Sequence, residues 1–169
     1  MSGTGVTGVT GVMGTSDATP QLVAEAVRDA MWADDQVSRA LGMEMVAVGP
    51  GSAQMRMPVR RDMLNGHAIC HGGLMTTLAD STFAYACNAY NELSVASGFD
   101  VNIIASARLG DVLIATASEV AKTRRTGVYD IDVRDQDGRR IAAFRGRSMT
   151  LPDKLIVPNL PVTRTRAKA

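Results

Sequence analysis

The sequence predicts an α+β domain: a mainly antiparallel sheet curved around one long central helix, with an extra helix on its N-terminal side. Three observations predict it. The stretch "HGGLMTTLADSTFAYACNAY", His71 to Tyr90, is of helical length and apolar or small almost all the way round, so it needs cover on nearly every side. Strand-like runs flank it, two before and four after. The four that follow are too numerous and too closely spaced for repeated helical crossovers, so they should pair antiparallel. One sheet leaves a flank of the central helix bare, and a second subunit is expected to complete the cover.

The elements follow in order. Residues 1–18 repeat Thr-Gly-Val without a core-building pattern and are expected to be a disordered leader. A helix fits Pro20 to Leu41: Thr19 can cap it, Pro20 suits its first turn and Gly42 can stop it. Leu22, Ala26, Met31, Val37 and Leu41 give it a loose apolar stripe. Two strands, Met43–Val48 and Ala53–Val59, flank "GPGS", a hairpin signal, and the second alternates apolar with polar residues. The loop "RRDMLNGHAIC" leads into the central helix. Strands are then expected over Leu93–Ile104, Val112–Ala121, Gly127–Arg134 and Arg139–Leu151, with turns at "RLGD" and "QDG". The domain should therefore span residues 19–152, with 153–169 an irregular basic tail that frays.

Composition narrows the function. With 169 residues, 46% hydrophobic and 21% charged, the chain is long enough for a real core. A net charge of +1 argues against a dedicated nucleic-acid binder. The charge is uneven: residues 1–120 hold 6 Lys/Arg against 12 Asp/Glu, and residues 121–169 hold 12 against 5. A basic second half suits a phosphorylated ligand or an acidic surface, and equally a set of solvated strand faces. No apolar run approaches the ~20 residues that span a bilayer, and no secretory signal is visible. With two cysteines, too few for a disulfide framework, a cytoplasmic protein is expected.

The chemistry gathers on the central helix. Asp80 sits among apolar neighbours, where a carboxylate costs several kcal/mol unless it is paired or used. The hydroxyls of Thr76, Thr77 or Ser81 could hold it, it could lie on a polar side of the helix facing water, or it could act on a ligand. His71-Gly72-Gly73 opens the same helix, where backbone N–H groups lack intrahelical acceptors and suit an oxygen that gains negative charge. Asp80 lies about two turns further on, too far to share one carbonyl with Gly72 of the same chain. Two antiparallel copies would solve the distance, Gly72 of one facing Asp80 of the other. His67, Cys70 and His71 lack a fourth ligand at convincing spacing, so no metal site is expected. Cys87 reads as a buried small hydrophobe.

The stretch "MLNGHAICHGGLMTTLADSTFAYACN", Met63 to Asn88, resembles the hot-dog-fold thioesterases of the phenylacetate-degradation (PaaI) type. "TGVYDIDV", Thr126 to Val133, and "AAFRG", Ala142 to Gly146, resemble the same family's later strands, and the likeness runs over about residues 30 to 150. The resemblance implies the hot-dog fold, dimers assembling to a homotetramer, and hydrolysis of acyl-CoA thioesters such as (hydroxy)phenylacetyl-CoA. It implies Asp80 as general base or nucleophile, and the Gly72 N–H as the group polarising the carbonyl. It also implies Asn65 near the attacking water and His71 near the thioester. A thioester needs no more, being electrophilic with a good leaving group. No cofactor is expected, CoA being part of the substrate, and no nucleic-acid or membrane partner.

After the helix the chain departs from the family pattern. Many relatives carry Ser or Thr on the next strand; here alignment puts Asp100 near that position, with Ser97 and Asn102 beside it, and a carboxylate there would raise the pKa of Asp80. The usual Arg-Pro is replaced by Ala-Ser-Ala-Arg. Arg124, Arg125 and Arg147 are candidates for the CoA phosphates. Met63, Leu64 and Phe83 are candidates for the acyl pocket. Two rival functions keep the fold: a non-catalytic acyl-CoA sensor, disfavoured because residues 1–18 are no helix-turn-helix, and a hydratase or dehydratase, disfavoured because no histidine follows Asp80.

Overall fold

The computed structural model describes residues 18–164. Six antiparallel strands form one sheet in the order β1-β2-β4-β5-β6-β3. They are β1 (Glu44–Gly49), β2 (Ser52–Pro58), β3 (Ser94–Ile103), β4 (Val112–Lys122), β5 (Thr126–Arg134) and β6 (Arg140–Thr150). The central helix, Gly72–Asn88, lies against all six strands. In chain order it is α3, after α1 (Pro20–Asp34) and α2 (Gln36–Ala40).

The N-terminal helix is broken where the sequence predicts one helix from Pro20 to Leu41. Thr19 does cap α1, accepting from the Leu22 N–H. Asp35 ends it because its side chain has other partners. One carboxylate oxygen caps α2 through the Ser38 N–H at 3.0 Å, and the other accepts from the Tyr85 hydroxyl at 3.0 Å. Burial and this carboxylate hold the Tyr85 pKa well above the usual tyrosine range.

The core lies between α3 and the inner face of the sheet. The Phe83 ring packs on Tyr129 and Phe144, with centroids 5.5 and 6.2 Å away. Gly146 makes room for it: a Cβ there would stand 2.8–2.9 Å from three atoms of the Phe83 ring. Asn88 ties the end of α3 to β3, donating to the Ser94 carbonyl and accepting from the Ser94 N–H.

The expected fraying after residue 152 is not what residues 153–164 do. They are irregular but pinned to the domain. The buried Asn91 side chain accepts from the Ile156 and Val157 N–H groups and donates to the Val157 and Leu160 carbonyls. The leader expected over residues 1–18 lies, but for its last residue, outside the described residues, as do residues 165–169.

The edge strand β3 carries Phe99 and Ile103 on the same face of the sheet as α3. Both are exposed, at 43% and 50%. The side of α3 that the strands leave uncovered runs through Gly73, Thr77, Asp80 and Ala84.

Candidate active site

The catalytic candidates fall into three places. Asn65, His71 and Gly72 gather at the start of α3. His71 caps the helix: its Nδ1 accepts from the Gly73 N–H at 3.0 Å, which puts the ring proton on Nε2, and its carbonyl accepts from Leu74 at 2.9 Å. Its own N–H donates to the Met63 carbonyl. The Gly72 N–H has no acceptor among the described residues. A Cβ at Gly72 would come within 2.6 Å of Ile103 Cδ1, the flexible end of that side chain, which would have to shift. Asn65 shapes the preceding loop: its Oδ1 accepts from the His67 N–H at 2.9 Å, while Ala68 adopts φ 57°. Its amide nitrogen donates to no partner among the described residues.

Asp80 stands alone in mid-helix, eight residues from Gly72, or ~12 Å along the axis. It is half-buried, and among the described residues it accepts no hydrogen bond and pairs with no cation. Two of the three hydroxyls that could have held it donate elsewhere, and the third, that of Ser81, makes no bond to it. Thr76 and Thr77 donate to the carbonyls of Gly72 and Gly73, at 2.9 and 2.8 Å, and Ser81 accepts from Ser38 at 3.2 Å. Burial raises the Asp80 pKa above the usual carboxylate range. Asp80 forms part of the wall of a cavity of about 520 Å³ whose other surfaces are mostly apolar, among them Phe83, Cys87 and Ala96. An unpartnered, half-buried carboxylate facing such a space is poised to take a proton.

Asp100 lies elsewhere. On β3 it pairs across from Arg145 on the outer face, away from α3, and forms an ion pair with Arg147 at 2.7 Å. It does not approach Asp80, whose raised pKa comes from desolvation alone. The CoA candidates do not converge either. Arg147 points outward and is held by Asp100, while Arg124 and Arg125 are exposed in the β4–β5 turn. That turn lies near the C-terminal end of α3, where Lys122 Nζ sits 5.7 Å from the Tyr90 ring centre.

Of the acyl-pocket candidates, Phe83 lines the Asp80 cavity, Met63 is sealed in the core and Leu64 packs against it. Cys87 also borders the cavity, and burial pushes its thiol up to about 12. Among the described residues no three His, Cys, Asp or Glu side chains converge on a metal site. Sequence reasoning missed Met31, Leu155 and Ile156 as cavity walls. The signal was the apolar run Leu155-Ile156-Val157 in an otherwise polar, proline-rich tail.

Comparison with known proteins gives one consistent picture. The thioesterase superfamily model matches residues 67–142. The acyl-coenzyme A thioesterase PaaI of Escherichia coli K12 is 41% identical over 119 residues, 70% of this chain and 85% of that protein. The E. coli PaaI structure, from the phenylacetic acid degradation operon, superposes with a TM-score of 0.78 at 38% identity, over 79% of this chain and 96% of that one. A mutant of the phenylacetic acid degradation protein PaaI from Thermus thermophilus gives 0.67 at 34% identity, over 69% and 100%.

Proposed function

This chain belongs to the thioesterase superfamily, as an acyl-CoA thioesterase of the PaaI type with the hot-dog fold, and we propose that it hydrolyses phenylacetyl-CoA or a ring-hydroxylated relative with Asp80 as general base. The observation that carries the role of Asp80 is its isolation. A half-buried carboxylate that accepts no hydrogen bond and pairs with no cation among the described residues is free to act on a ligand in the cavity it borders.

The acyl group occupies the apolar cavity beside Asp80, against the Phe83 ring. Asp80 takes a proton from water as the oxygen attacks the thioester carbonyl carbon. Charge develops on the carbonyl oxygen, where the Gly72 N–H of a second copy donates to it. The C–S bond then breaks, the CoA thiolate leaves, and the proton held by Asp80 is available to it. Asn65 and His71, grouped with Gly72, belong to the same copy. The amide nitrogen of Asn65 reaches the water, and the Nε2–H of His71 reaches the thioester.

Distance supports the second copy, since Gly72 and Asp80 of one chain stand ~12 Å apart along one helix. Its place is supported by the exposed Phe99 and Ile103 on the free edge strand β3 and by the uncovered side of α3 that bears Asp80. Such a face is self-complementary about a two-fold axis, as in most homodimers. Two dimers complete the proposed tetramer. Arg124 and Arg125, free of carboxylate partners among the described residues, are the better placed of the CoA candidates. The proposal places the enzyme in the cytoplasm; no described helix is long and apolar enough to cross a membrane.

A thiol-release assay across phenylacetyl-CoA, hydroxyphenylacetyl-CoA, and short and long straight-chain acyl-CoAs tests the substrate. The expected order puts the aryl thioesters first in kcat/KM. A profile led by a straight chain would overturn the aryl assignment.

A further inference from the structure

The function proposed above gives no task to the segment after β6, although that segment is held with unusual completeness. Asn91 is wholly buried at φ 64°. Its Oδ1 accepts from the Ile156 N–H at 3.2 Å and the Val157 N–H at 2.8 Å, and its Nδ2 donates to the Val157 and Leu160 carbonyls, both at 3.0 Å. Backbone bonds flank this staple: Leu93 to the Lys154 carbonyl at 2.9 Å, and Thr163 to the Tyr90 carbonyl at 3.2 Å. At the far end the Arg164 guanidinium pairs with Glu92 at 3.2 Å and donates to the Thr123 carbonyl. These bonds fix residues 153–164 across the groove between the end of α3 and the start of β3.

That position has a chemical consequence. Leu155 and Ile156 border the same cavity as Asp80 and Phe83, as does Met31 of α1. α3, Leu93 and the start of β3 supply the remaining walls. Without the segment the cavity would lose the side that these two leucine-sized residues supply. Its volume, about 520 Å³, lies within the range of small-molecule pockets.

We propose that residues 153–160 are the specificity wall of the acyl pocket, with Leu155 and Ile156 setting the size of acyl group that reaches Asp80. This inference rests on the reading of Asp80 as the catalytic carboxylate. Leu155 and Ile156 touch neither the thioester nor the proton in transit; they act by limiting the space behind the carbonyl. Asn91 is the positioning residue that holds them there.

The test uses the full chain. Leu155→Ala/Ile156→Ala widens the pocket, and Leu155→Trp narrows it; Leu155 is 45% exposed and Ile156 half-buried outside the main core, and circular dichroism checks that each variant is folded. Asn91→Gly keeps the backbone conformation and removes the staple. The readout is kcat/KM along a straight-chain and aryl acyl-CoA series. The widened variant and Asn91→Gly should shift preference toward larger acyl groups by about fourfold per methylene newly accommodated. Leu155→Trp should shift it the other way. A uniform change across all substrates would overturn the wall. The same series as non-hydrolysable thioethers, read as Kd, separates the two proposals. If no thioester is turned over, the thioesterase mechanism fails, and a Kd profile unmoved by the variants removes the specificity wall as well.

Discussion

A complementation experiment tests whether each active site is shared between two chains. Gly72→Pro removes the proposed oxyanion donor while sparing the helix. Proline is well accepted at the first helical position, where its missing N–H has no intrahelical partner to lose. Here the Gly72 N–H makes no bond among the described residues, and His71, at φ −62° and ψ 130°, already has the extended backbone that precedes proline. Loss of one oxyanion donor typically lowers kcat by about 10²–10³-fold, or ~2.7–4 kcal/mol. Gly72→Ala, which keeps the N–H, is the control for the Ile103 contact. Asp80→Asn removes the base, for roughly 10²–10⁴-fold. Each variant alone should be nearly inactive. Unfolded together at equal amounts and refolded, they should recover about a quarter of wild-type turnover, because random two-fold pairing gives one site in four both native residues. The assay is thiol release before and after mixing, with circular dichroism to check folding. A mixture no more active than its parts would refute the shared site.

Two further outcomes follow from the same geometry. Because burial raises the Asp80 pKa, the acid limb of kcat/KM should lie above the usual carboxylate range. The folded state then binds the proton more readily than the unfolded chain, so ionised Asp80 subtracts from stability above its folded pKa, and this loss fades as the pH falls through that value. Asp80→Asn should therefore raise Tm at neutral pH and leave it unchanged below the ordinary carboxylate range; a Tm gain independent of pH would contradict this. Gly146→Ala should destabilise by roughly 1–3 kcal/mol in a urea titration, since the new methyl meets the packed Phe83 ring rather than a flexible chain end. A midpoint equal to wild type would show that the ring gives way freely.

Much of the fold was legible because local chemistry and global pattern agree. The central helix is apolar on every side but one, and the turns at Gly110 and Gly138 sit where glycine adopts φ of +90° and +82°. The strand limits follow from those turns to within a residue or two. What escaped depends on long-range partners. Asp35 ends α1 because Tyr85, fifty residues away, bonds to it. Asp100 shows how one residue of register redirects a side chain. Strict alternation from inward-facing Ala96 would turn Asp100 inward as well, but a bulge between Ala96 and Gly98 reverses the parity, so Phe99 faces α3 and Asp100 faces out. The docked segment 153–164 was hidden for a similar reason. Its anchor, Asn91, looks from the sequence like an ordinary turn residue. Asp80 and Gly72 stand out as candidates in the sequence because each breaks a local expectation without a nearby remedy.

The most direct measurement is thiol release from phenylacetyl-CoA by the wild-type protein beside folded Asp80→Asn. Steady turnover that falls by at least about 10²-fold in the variant is the predicted result. Undiminished turnover in a folded Asp80→Asn protein would contradict the role assigned to Asp80.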